Sequence, residues 1–210
     1  MTPEPVIVTA RSYDEYAASW HEAHRTEDRS STRADSYQRF AALLSPGGLV
    51  LDLGCGSGLD APALAGRGLR PLGLDVSAGM LRIARAQPAY AGRLLLGEMR
   101  ALPLAEHSVD GVWADGSLHH LPKVEAVRAV SEAARVLRPG GSFYASAERG
   151  DGEGFVERQE GVAGRRWYAF YEVEELSDLC AAAGFEAVDQ IVGGPASHSG
   201  GFVALFLRKR

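Results

Sequence analysis

Cysteine, lysine and long apolar runs are scarce in this chain of 210 residues. The two cysteines, Cys55 and Cys180, fall in a predicted loop and a predicted helix, so we expect no disulfide framework. No segment approaches the roughly 20 apolar residues of a membrane-spanning helix, and the N-terminus lacks the basic region of a signal peptide. We therefore expect a soluble, cytoplasmic protein that has no membrane partner.

An excess of positive charge and a metal motif are absent as well. The net charge is -5, whereas proteins that follow nucleic-acid phosphates carry a basic face. The segment His21-Glu22-Ala23-His24 lacks the histidine spacing of the zinc motif H-E-x-x-H. We expect no nucleic-acid partner and no metal. The expected oligomeric state is a monomer or a homodimer.

The stretch over residues 49–58 organises the rest of the chain. It reads LVLDLGCGSG, in which a short apolar run, typical of a strand buried on both faces, enters a loop with alternating glycines. Ser57 is expected to open the next helix, over residues 57–66. A helix N-terminus at the tip of a central strand is typical of a nucleotide site.

Strands and helices alternate after this stretch, which predicts an α/β fold. The predicted strands cover residues 49–53, 70–75, 93–97, 109–114, 142–147, 185–192 and 201–207. The last two have no helical segment between them and are expected to pair antiparallel. A helix beginning at Pro122 is predicted to bury one apolar face, with the residues Val124, Val127, Val130, Ala134 and Leu137.

Two segments stand outside this alternation. Residues 1–45 are predicted to form a helical extension or lid, with a loose arm over residues 1–11, while residues 46–210 form the core. Residues 148–171 show no clear period and are predicted to be a long substrate loop.

The glycine spacing and one acidic residue narrow the choice of cofactor. The glycines are Gly54, Gly56 and Gly58, whereas the dinucleotide fingerprint G-x-G-x-x-G would need a glycine at Leu59. Asp75 follows about 20 residues after the loop, where a carboxylate can bind ribose hydroxyls. It fits a nicotinamide cofactor, an adenosyl cofactor or a helix cap, so these residues alone leave the choice open.

Six short motifs, beginning with the glycine loop, follow one another along the chain. They are VLDLGCGSG at 50–58, GLDVS at 73–77, GEMRALP at 97–103, SVDGV at 108–112, LHHL at 118–121 and RVLRPGG at 135–141. Together they resemble the class I S-adenosylmethionine-dependent methyltransferases, in their small-molecule branch, over about residues 45–147. The resemblance implies a Rossmann-like, seven-stranded, mostly parallel sheet with strand 7 antiparallel and helices on both faces. It also implies S-adenosyl-L-methionine as cofactor and S-adenosyl-L-homocysteine as product.

The resemblance also implies roles in cofactor binding. The glycine loop would contact the methionyl part, Asp52 would support that loop, and Asp75 would bind the ribose hydroxyls. Glu98, where the family usually has aspartate, would accept from the adenine amino group. The full expected set is Tyr16, Asp52, Gly54, Cys55, Gly56, Asp75, Val76, Met80, Glu98, Met99 and Asp115. For Cys55, a reactive thiol and a small loop filler are both compatible with the sequence.

His119 and His120 are the candidate general bases. They follow the fourth strand and precede a helix start, where neutral imidazole is favoured. Packing, or a place in the cofactor loop, is the alternative for either one.

The expected substrate contacts come from the segments outside the α/β core and are rich in aromatic and basic side chains. They are Trp20, Arg165, Arg166, Tyr168 and Tyr171. A wall for a planar or anionic substrate is one interpretation of the 165–171 cluster, and core packing with solvated arginines is the other.

The predicted function is methyl transfer from S-adenosylmethionine to an oxygen, nitrogen or carbon atom of a small molecule, by in-line displacement. The alternatives are a nicotinamide-dependent oxidoreductase and a non-catalytic module that binds S-adenosylmethionine.

Overall fold

The computed structural model describes residues 4–25, 33–157, 164–193 and 201–210. The helices are α1 (Glu4–His24), α2 (Ala34–Ala42), α3 (Ala61–Ala65), α4 (Ala78–Ala84), α5 (Lys123–Val136) and α6 (Val173–Ala182). The strands are β1 (Leu49–Leu53), β2 (Arg70–Asp75), β3 (Leu94–Leu96), β4 (Val109–Ala114), β5 (Leu137–Glu148), β6 (Glu153–Glu157), β7 (Arg165–Ala169), β8 (Phe185–Gly193) and β9 (Phe202–Lys209). Among the described residues, no helix has the length and apolar character to span a membrane.

Seven strands form one sheet in the order β3-β2-β1-β4-β5-β9-β8. The pairs from β3 to β5 are parallel, and β9 runs antiparallel to both β5 and β8. The expected mostly parallel sheet, with its seventh strand antiparallel, is confirmed. The strand order reverses between β1 and β4, and such a switch point opens a crevice at the carboxyl ends of the strands.

Alternate side chains of β4 enter cores on opposite faces of the sheet. Val112 and Ala114 pack in the cluster that contains Val130 of α5. Trp113 packs in the other cluster, against Tyr37 of α2. Helices therefore cover both faces, and the central strands are buried on each side, as in other parallel sheets.

The predicted buried face of α5 is wrong at two positions. Val124 and Val127 are 76% and 50% exposed, whereas the buried residues are Ala126, Ala129, Val130, Ala133 and Val136. Small alanine side chains let the helix lie close to the sheet. The periodicity of the larger apolar residues therefore predicted the helix correctly but assigned part of its buried face to the wrong residues.

Two further sequence-based predictions of local structure are wrong. Residues 4–11 are helical rather than a loose arm, with Val6 and Thr9 buried; residues 1–3 lie outside the described part. The helix after the glycine loop starts at Ala61 rather than Ser57. The side chain of the intervening Asp60 accepts hydrogen bonds from Tyr37 (2.7 Å) and Trp113 (3.1 Å), which hold that turn in place.

The segment over 148–171 contains a hairpin instead of an irregular loop; its residues 158–163 lie outside the described part. Strands β6 and β7 pair antiparallel, with Val156 opposite Arg166. An arginine at a buried position of β7 hid the two-residue alternation on which strand prediction depends.

Candidate active site

A cavity of about 520 Å³ opens at the carboxyl ends of the central strands. Its walls come from the loops after β1, β2, β3 and β4, from α1, and from β7. The volume lies in the range of small-molecule and cofactor sites. The sheet's switch point, the glycine loop and the N-terminal helix thus enclose one space.

Two glycines shape the loop that follows β1. Gly54 and Gly56 have φ angles of 75° and 52°, in the left-handed region that favours glycine. A Cβ on Gly54 would collide with Ser117, while a Cβ on Gly56 would meet no atom within 4 Å. Gly54 therefore permits close packing of two loops, and Gly56 borders open space in the cavity.

Asp75, at the end of β2, joins the glycine loop to the next helix. Its Oδ2 accepts a hydrogen bond from the backbone N–H of Gly56, and its Oδ1 accepts from Ser77, both at 2.8 Å. Burial raises the pKa of the Asp75 carboxyl, although these backbone donors oppose the shift. The cap of α4 is Ser77, whose Oγ accepts from the N–H of Met80 at 3.0 Å. Asp75 is therefore not the helix cap.

A buried carboxylate, that of Asp52 in β1, lies next to the glycine loop. The Asp52 carboxylate is 2% exposed and accepts a hydrogen bond from the Tyr90 hydroxyl at 2.6 Å. Burial, followed by the Asp52 and Asp75 carboxylates, raises the pKa of the Cys55 thiol well above its ordinary value. The thiol is therefore kept protonated, which favours the small-filler interpretation of Cys55.

Arg100 binds the carboxylate of Glu98. Its Nε and Nη2 donate to the two carboxylate oxygens of Glu98 at 2.5 and 2.7 Å, and its Nη1 pairs with Glu125. This bidentate contact fixes the Glu98 side chain at the rim of the cavity. Because Oε1 also accepts from the Arg100 backbone N–H at 3.2 Å, the remaining acceptor position for a ligand amino group is on Oε2.

Helix α1 is bound directly to the loops that it covers. Oδ1 of Asp14 accepts hydrogen bonds from the Ser77 hydroxyl and the Gly79 N–H, both at 2.7 Å. Any Cβ on Gly79 would lie 2.8 Å from the Asp14 carbonyl oxygen, so only glycine permits this approach. Further along α1, His21 Nδ1 lies 2.9 Å from the Ser57 hydroxyl, so the loops after β1 and β2 both contact α1.

The side chain of His120 connects α1 to β7. Its Nδ1 lies 2.8 Å from the Trp167 carbonyl oxygen, which can only accept, so Nδ1 carries a proton. Its Nε2 lies 2.7 Å from the Tyr13 hydroxyl and, in the neutral ring, accepts the hydroxyl proton. His119 is oriented the other way, because its Nδ1 accepts from the Glu148 N–H at 3.4 Å.

Asp115, directly after β4, lies on the cavity wall. The Ser146 hydroxyl donates to its Oδ1 at 2.6 Å, and its Oδ2 pairs with the Arg33 guanidinium. The same Ser146 hydroxyl accepts from the Gly116 N–H at 2.9 Å. This network fixes the carboxylate at the cavity.

Most of the predicted site residues line the cavity. Those that do so are Trp20, Gly54, Cys55, Gly56, Asp75, Val76, Met80, Glu98, Met99, Asp115, His119, His120, Arg166 and Tyr168. Four do not, namely Tyr16, Asp52, Arg165 and Tyr171. Asp52 is buried beside the loop and accepts a hydrogen bond from the Tyr90 hydroxyl.

The other three have partners outside the cavity. Tyr16 packs near Gly164, Arg165 stacks over the Phe155 ring at 3.8 Å, and Tyr171 lies under the Lys123 ammonium at 5.1 Å. For Arg165 the reason is strand geometry, since its neighbour Arg166 takes the inward position. These contacts give no support to the predicted ligand contacts of the three residues.

Sequence reasoning missed several lining residues, among them Thr9, Ser117 and Glu148. A helical interpretation of residues 4–11 would have found Thr9, since it follows Val6 by three positions on one helix face. In the described part of the chain, no group of three His, Cys, Asp or Glu side chains has the arrangement of a metal site.

Comparison with known proteins identifies the motif-bearing part of this cavity. The family model described as a methyltransferase domain matches residues 50–141, which contain the glycine loop, Asp75, Glu98 and both histidines. The motif-bearing part of the chain, residues 50–141, is therefore a methyltransferase domain. Neither this match nor the relatives below support the nicotinamide-dependent alternative.

Two curated relatives extend the similarity beyond the methyltransferase domain. An uncharacterised chloroplastic methyltransferase of Arabidopsis thaliana is 32% identical and aligns with 76% of this chain. The malonyl-[acyl-carrier protein] O-methyltransferase of Serratia marcescens is 31% identical and aligns with 70% of it. The matches span 49% and 57% of these two relatives.

A solved structure repeats the fold around the methyltransferase domain. The 1,6-didemethyltoxoflavin-N1-methyltransferase of Burkholderia thailandensis, with bound 1,6-didemethyltoxoflavin and S-adenosylhomocysteine, superposes with a TM-score of 0.74. The superposition covers 100% of this chain and 92% of that one at 22% identity, so it shows the shared fold.

Proposed function

We propose that this protein transfers a methyl group from S-adenosylmethionine to a small-molecule acceptor by in-line displacement. One observation carries the proposal: a single cavity of about 520 Å³ joins the glycine loop and Asp75 to Tyr13, His119 and His120. A cofactor site and a candidate base therefore share one enclosed space. The Burkholderia thailandensis enzyme is named for a small-molecule acceptor, 1,6-didemethyltoxoflavin, which supports the acceptor class.

The residues of the cavity fit the cofactor. The Asp75 carboxylate accepts backbone N–H bonds from Gly56, Ser77 and Val76, and its two oxygens together keep acceptor capacity for a ribose hydroxyl. The hydroxyl of Ser117, a lining residue, is buried and has no hydrogen-bond partner in the described part of the chain. Such an unsatisfied group is expected where a ligand supplies the missing contact.

The chain's own residues would hold the cofactor by its parts. Gly54, Cys55 and Gly56 would face the methionyl part, Asp75 the ribose, and Glu98 with Met99 the adenine. Bound S-adenosylmethionine supplies an activated methyl group on a sulfonium. The protein's task is then to align the acceptor atom with that methyl at about 3–3.5 Å and to exclude water.

A proton can leave a hydroxyl or amine acceptor through the Tyr13 hydroxyl to His120. The Tyr13 hydroxyl donates its proton to Nε2 of His120, while its oxygen accepts the acceptor's proton. The resulting imidazolium keeps its Nδ1–H bond to the Trp167 carbonyl. We therefore assign the base role to His120 acting through Tyr13, and a packing role to His119, whose ring stacks on Tyr168 at 5.0 Å.

The setting of this activity belongs to the same proposal. We place it in the cytoplasm, on a monomer or homodimer, with no nucleic-acid partner. The net charge of -5 supports the last point, since nucleic-acid binding depends on neutralising phosphate charge.

A label-transfer experiment tests the proposed function. The protein is incubated with S-adenosylmethionine labelled on its methyl group and with a bacterial extract filtered to retain only small metabolites. We expect label in an organic-soluble or chromatographically distinct small molecule, with an equal amount of S-adenosylhomocysteine formed. Label found only in added protein or nucleic acid would contradict the small-molecule acceptor.

A further inference from the structure

Arg166 occupies an inward position on β7 that its neighbour Arg165 does not share. Side chains alternate along a strand, so Arg166 and Tyr168 face the cavity while Arg165 faces away from it. Arg166 is 6% exposed and lines the cavity. The hairpin therefore places one guanidinium beside the proposed acceptor site.

The guanidinium of Arg166 has few hydrogen-bond acceptors among the described residues. In the described part of the chain, its Nη1 donates a long hydrogen bond of 3.4 Å to the Tyr13 hydroxyl, and its Nε has no acceptor. A buried charge without a close counter-charge is strongly disfavoured. An arginine stays protonated in proteins, so this group cannot relieve the cost by losing its proton.

Docking of the hairpin onto α1 does not depend on this charge. The Ser12 hydroxyl donates to the Arg165 carbonyl at 2.7 Å, and the Trp167 N–H donates to the Thr9 hydroxyl at 2.9 Å. Gly164 also brings the start of β7 close to Ser12 and Tyr16. These contacts join the two elements without the guanidinium of Arg166.

Aromatic rings flank the guanidinium. Its carbon lies 5.4 Å from the Tyr13 ring centroid and 5.8 Å from that of Tyr168. His119 stacks on Tyr168, which extends the flat wall. The carboxylate of Glu148 also lines the cavity and attracts the guanidinium from beyond ion-pair distance. Planar walls beside an arginine suit a flat ligand that carries an anionic group.

We propose that Arg166 binds a carboxylate of a planar acceptor, and that this contact sets the substrate class of the enzyme. The inference rests on the proposed methyl transfer, because it assigns the acceptor half of the same cavity. The guanidinium donates two parallel hydrogen bonds to the carboxylate, and the aromatic walls contact the ring that carries it. Arg166 is thus a specificity-determining residue for an aryl carboxylic acid.

The experiment measures binding of matched ligand pairs to the protein saturated with S-adenosylhomocysteine. The pairs are 4-hydroxybenzoate with 4-hydroxybenzamide, 4-aminobenzoate with 4-aminobenzamide, and 3,4-dihydroxybenzoate with its amide. Phenylphosphonate is added as a different oxyanion. Wild type, Arg166→Gln and Arg166→Lys are compared with the matched control Arg165→Gln, which removes an equal charge one position away on the outer face.

We expect at least one carboxylate to bind wild type and Arg165→Gln about ten- to a hundredfold more tightly than its amide. Arg166→Gln should lose this preference while keeping its affinity for S-adenosylhomocysteine. Arg166→Lys should retain the preference with weaker binding, because it keeps the charge without the fork. If Arg166→Gln does not fold, Arg166→Lys tests the assignment by itself. It should bind the carboxylate more weakly than wild type does, while its affinity for S-adenosylhomocysteine stays unchanged.

Three results would overturn the assignment. They are equal binding of acid and amide by wild type, no binding by any member of the panel, and a carboxylate preference that survives Arg166→Gln. Binding of phenylphosphonate alone would overturn the carboxylate class. Failure of wild type to bind S-adenosylhomocysteine would instead contradict the proposed function. The acid and amide pairs would then be measured in the absence of S-adenosylhomocysteine, and their binding would test the role of Arg166 separately.

Discussion

At the scale of single residues, Asp75 accepts a hydrogen bond from the glycine loop and lines the cavity, where it is proposed to bind the ribose. We expect Asp75→Ala to weaken S-adenosylhomocysteine binding about a hundredfold or more, because hydrogen bonds to a charged group contribute about 1.5–3 kcal/mol each. Isothermal titration calorimetry measures the loss. Asp178→Ala, on the exposed side of α6, removes the same charge and should bind as wild type does. Equal affinities of both variants would refute the role of Asp75.

Tyr13 is the residue through which His120 is proposed to reach the acceptor. Tyr13→Phe removes the hydroxyl but keeps the ring, so turnover of a hydroxyl or amine acceptor should fall about 10²–10⁴-fold. The affinity for S-adenosylhomocysteine should change less than twofold. Initial rates with the acceptor from the label-transfer experiment test this. An unchanged turnover number would remove the Tyr13–His120 pair from the mechanism.

Cys55 provides a check by chemical modification. Burial and nearby carboxylates raise the pKa of its thiol, and burial raises the pKa of Cys180 to about 12. A raised thiol pKa means less thiolate at a given pH, so both cysteines should react slowly with a thiol-specific disulfide reagent at pH 8. Two thiols should become reactive in denaturant. Rapid labelling of Cys55 in the native protein would restore the reactive-thiol interpretation.

At the scale of elements, the contact between α1 and α4 closes one side of the cavity. Gly79→Ala places a Cβ 2.8 Å from the Asp14 carbonyl oxygen. Overpacking of this kind costs about 1–3 kcal/mol, more than the roughly 0.5–1 kcal/mol that alanine gains over glycine in a helix. We therefore expect a net loss of unfolding free energy and faster proteolysis within α1.

Chemical denaturation measures the change at Gly79. Gly154→Ala, in β6, is the control without a clash, since a Cβ there meets no atom within 4 Å, and it should raise the unfolding free energy by up to about 1 kcal/mol. Equal effects of the two substitutions would show that the close approach of α1 to α4 does not contribute to stability.

Elements buried by apolar side chains were predictable from the sequence. The predicted bounds of β1, β2 and β4 agree with the structure, because these central strands are apolar on both faces and end at glycine or acidic residues. Prediction failed where burial depends on other residue types. Alanines form the buried face of α5, and an arginine occupies the inward position of β7, so apolar periodicity misplaced the first and missed the second.

At the scale of the whole molecule, the cofactor half of the site was more predictable than the acceptor half. The glycine loop, Asp75 and Glu98 come from strand ends whose order the parallel sheet fixes, so local motifs located them. The acceptor half joins α1, the 118–120 turn and β7, which are more than 100 residues apart in places, as in the Tyr13–His120 contact. Such tertiary contacts leave no local pattern in the sequence.

A cavity built for an adenosyl sulfonium cofactor and its product should discriminate between nucleotide cofactors. Calorimetric titration of the protein with S-adenosylhomocysteine and, separately, with NAD measures this discrimination. We expect stoichiometric binding of S-adenosylhomocysteine, weakened by Asp75→Ala, and no measurable binding of NAD at the same concentration. Binding of NAD in preference to S-adenosylhomocysteine would refute the proposed methyl transfer.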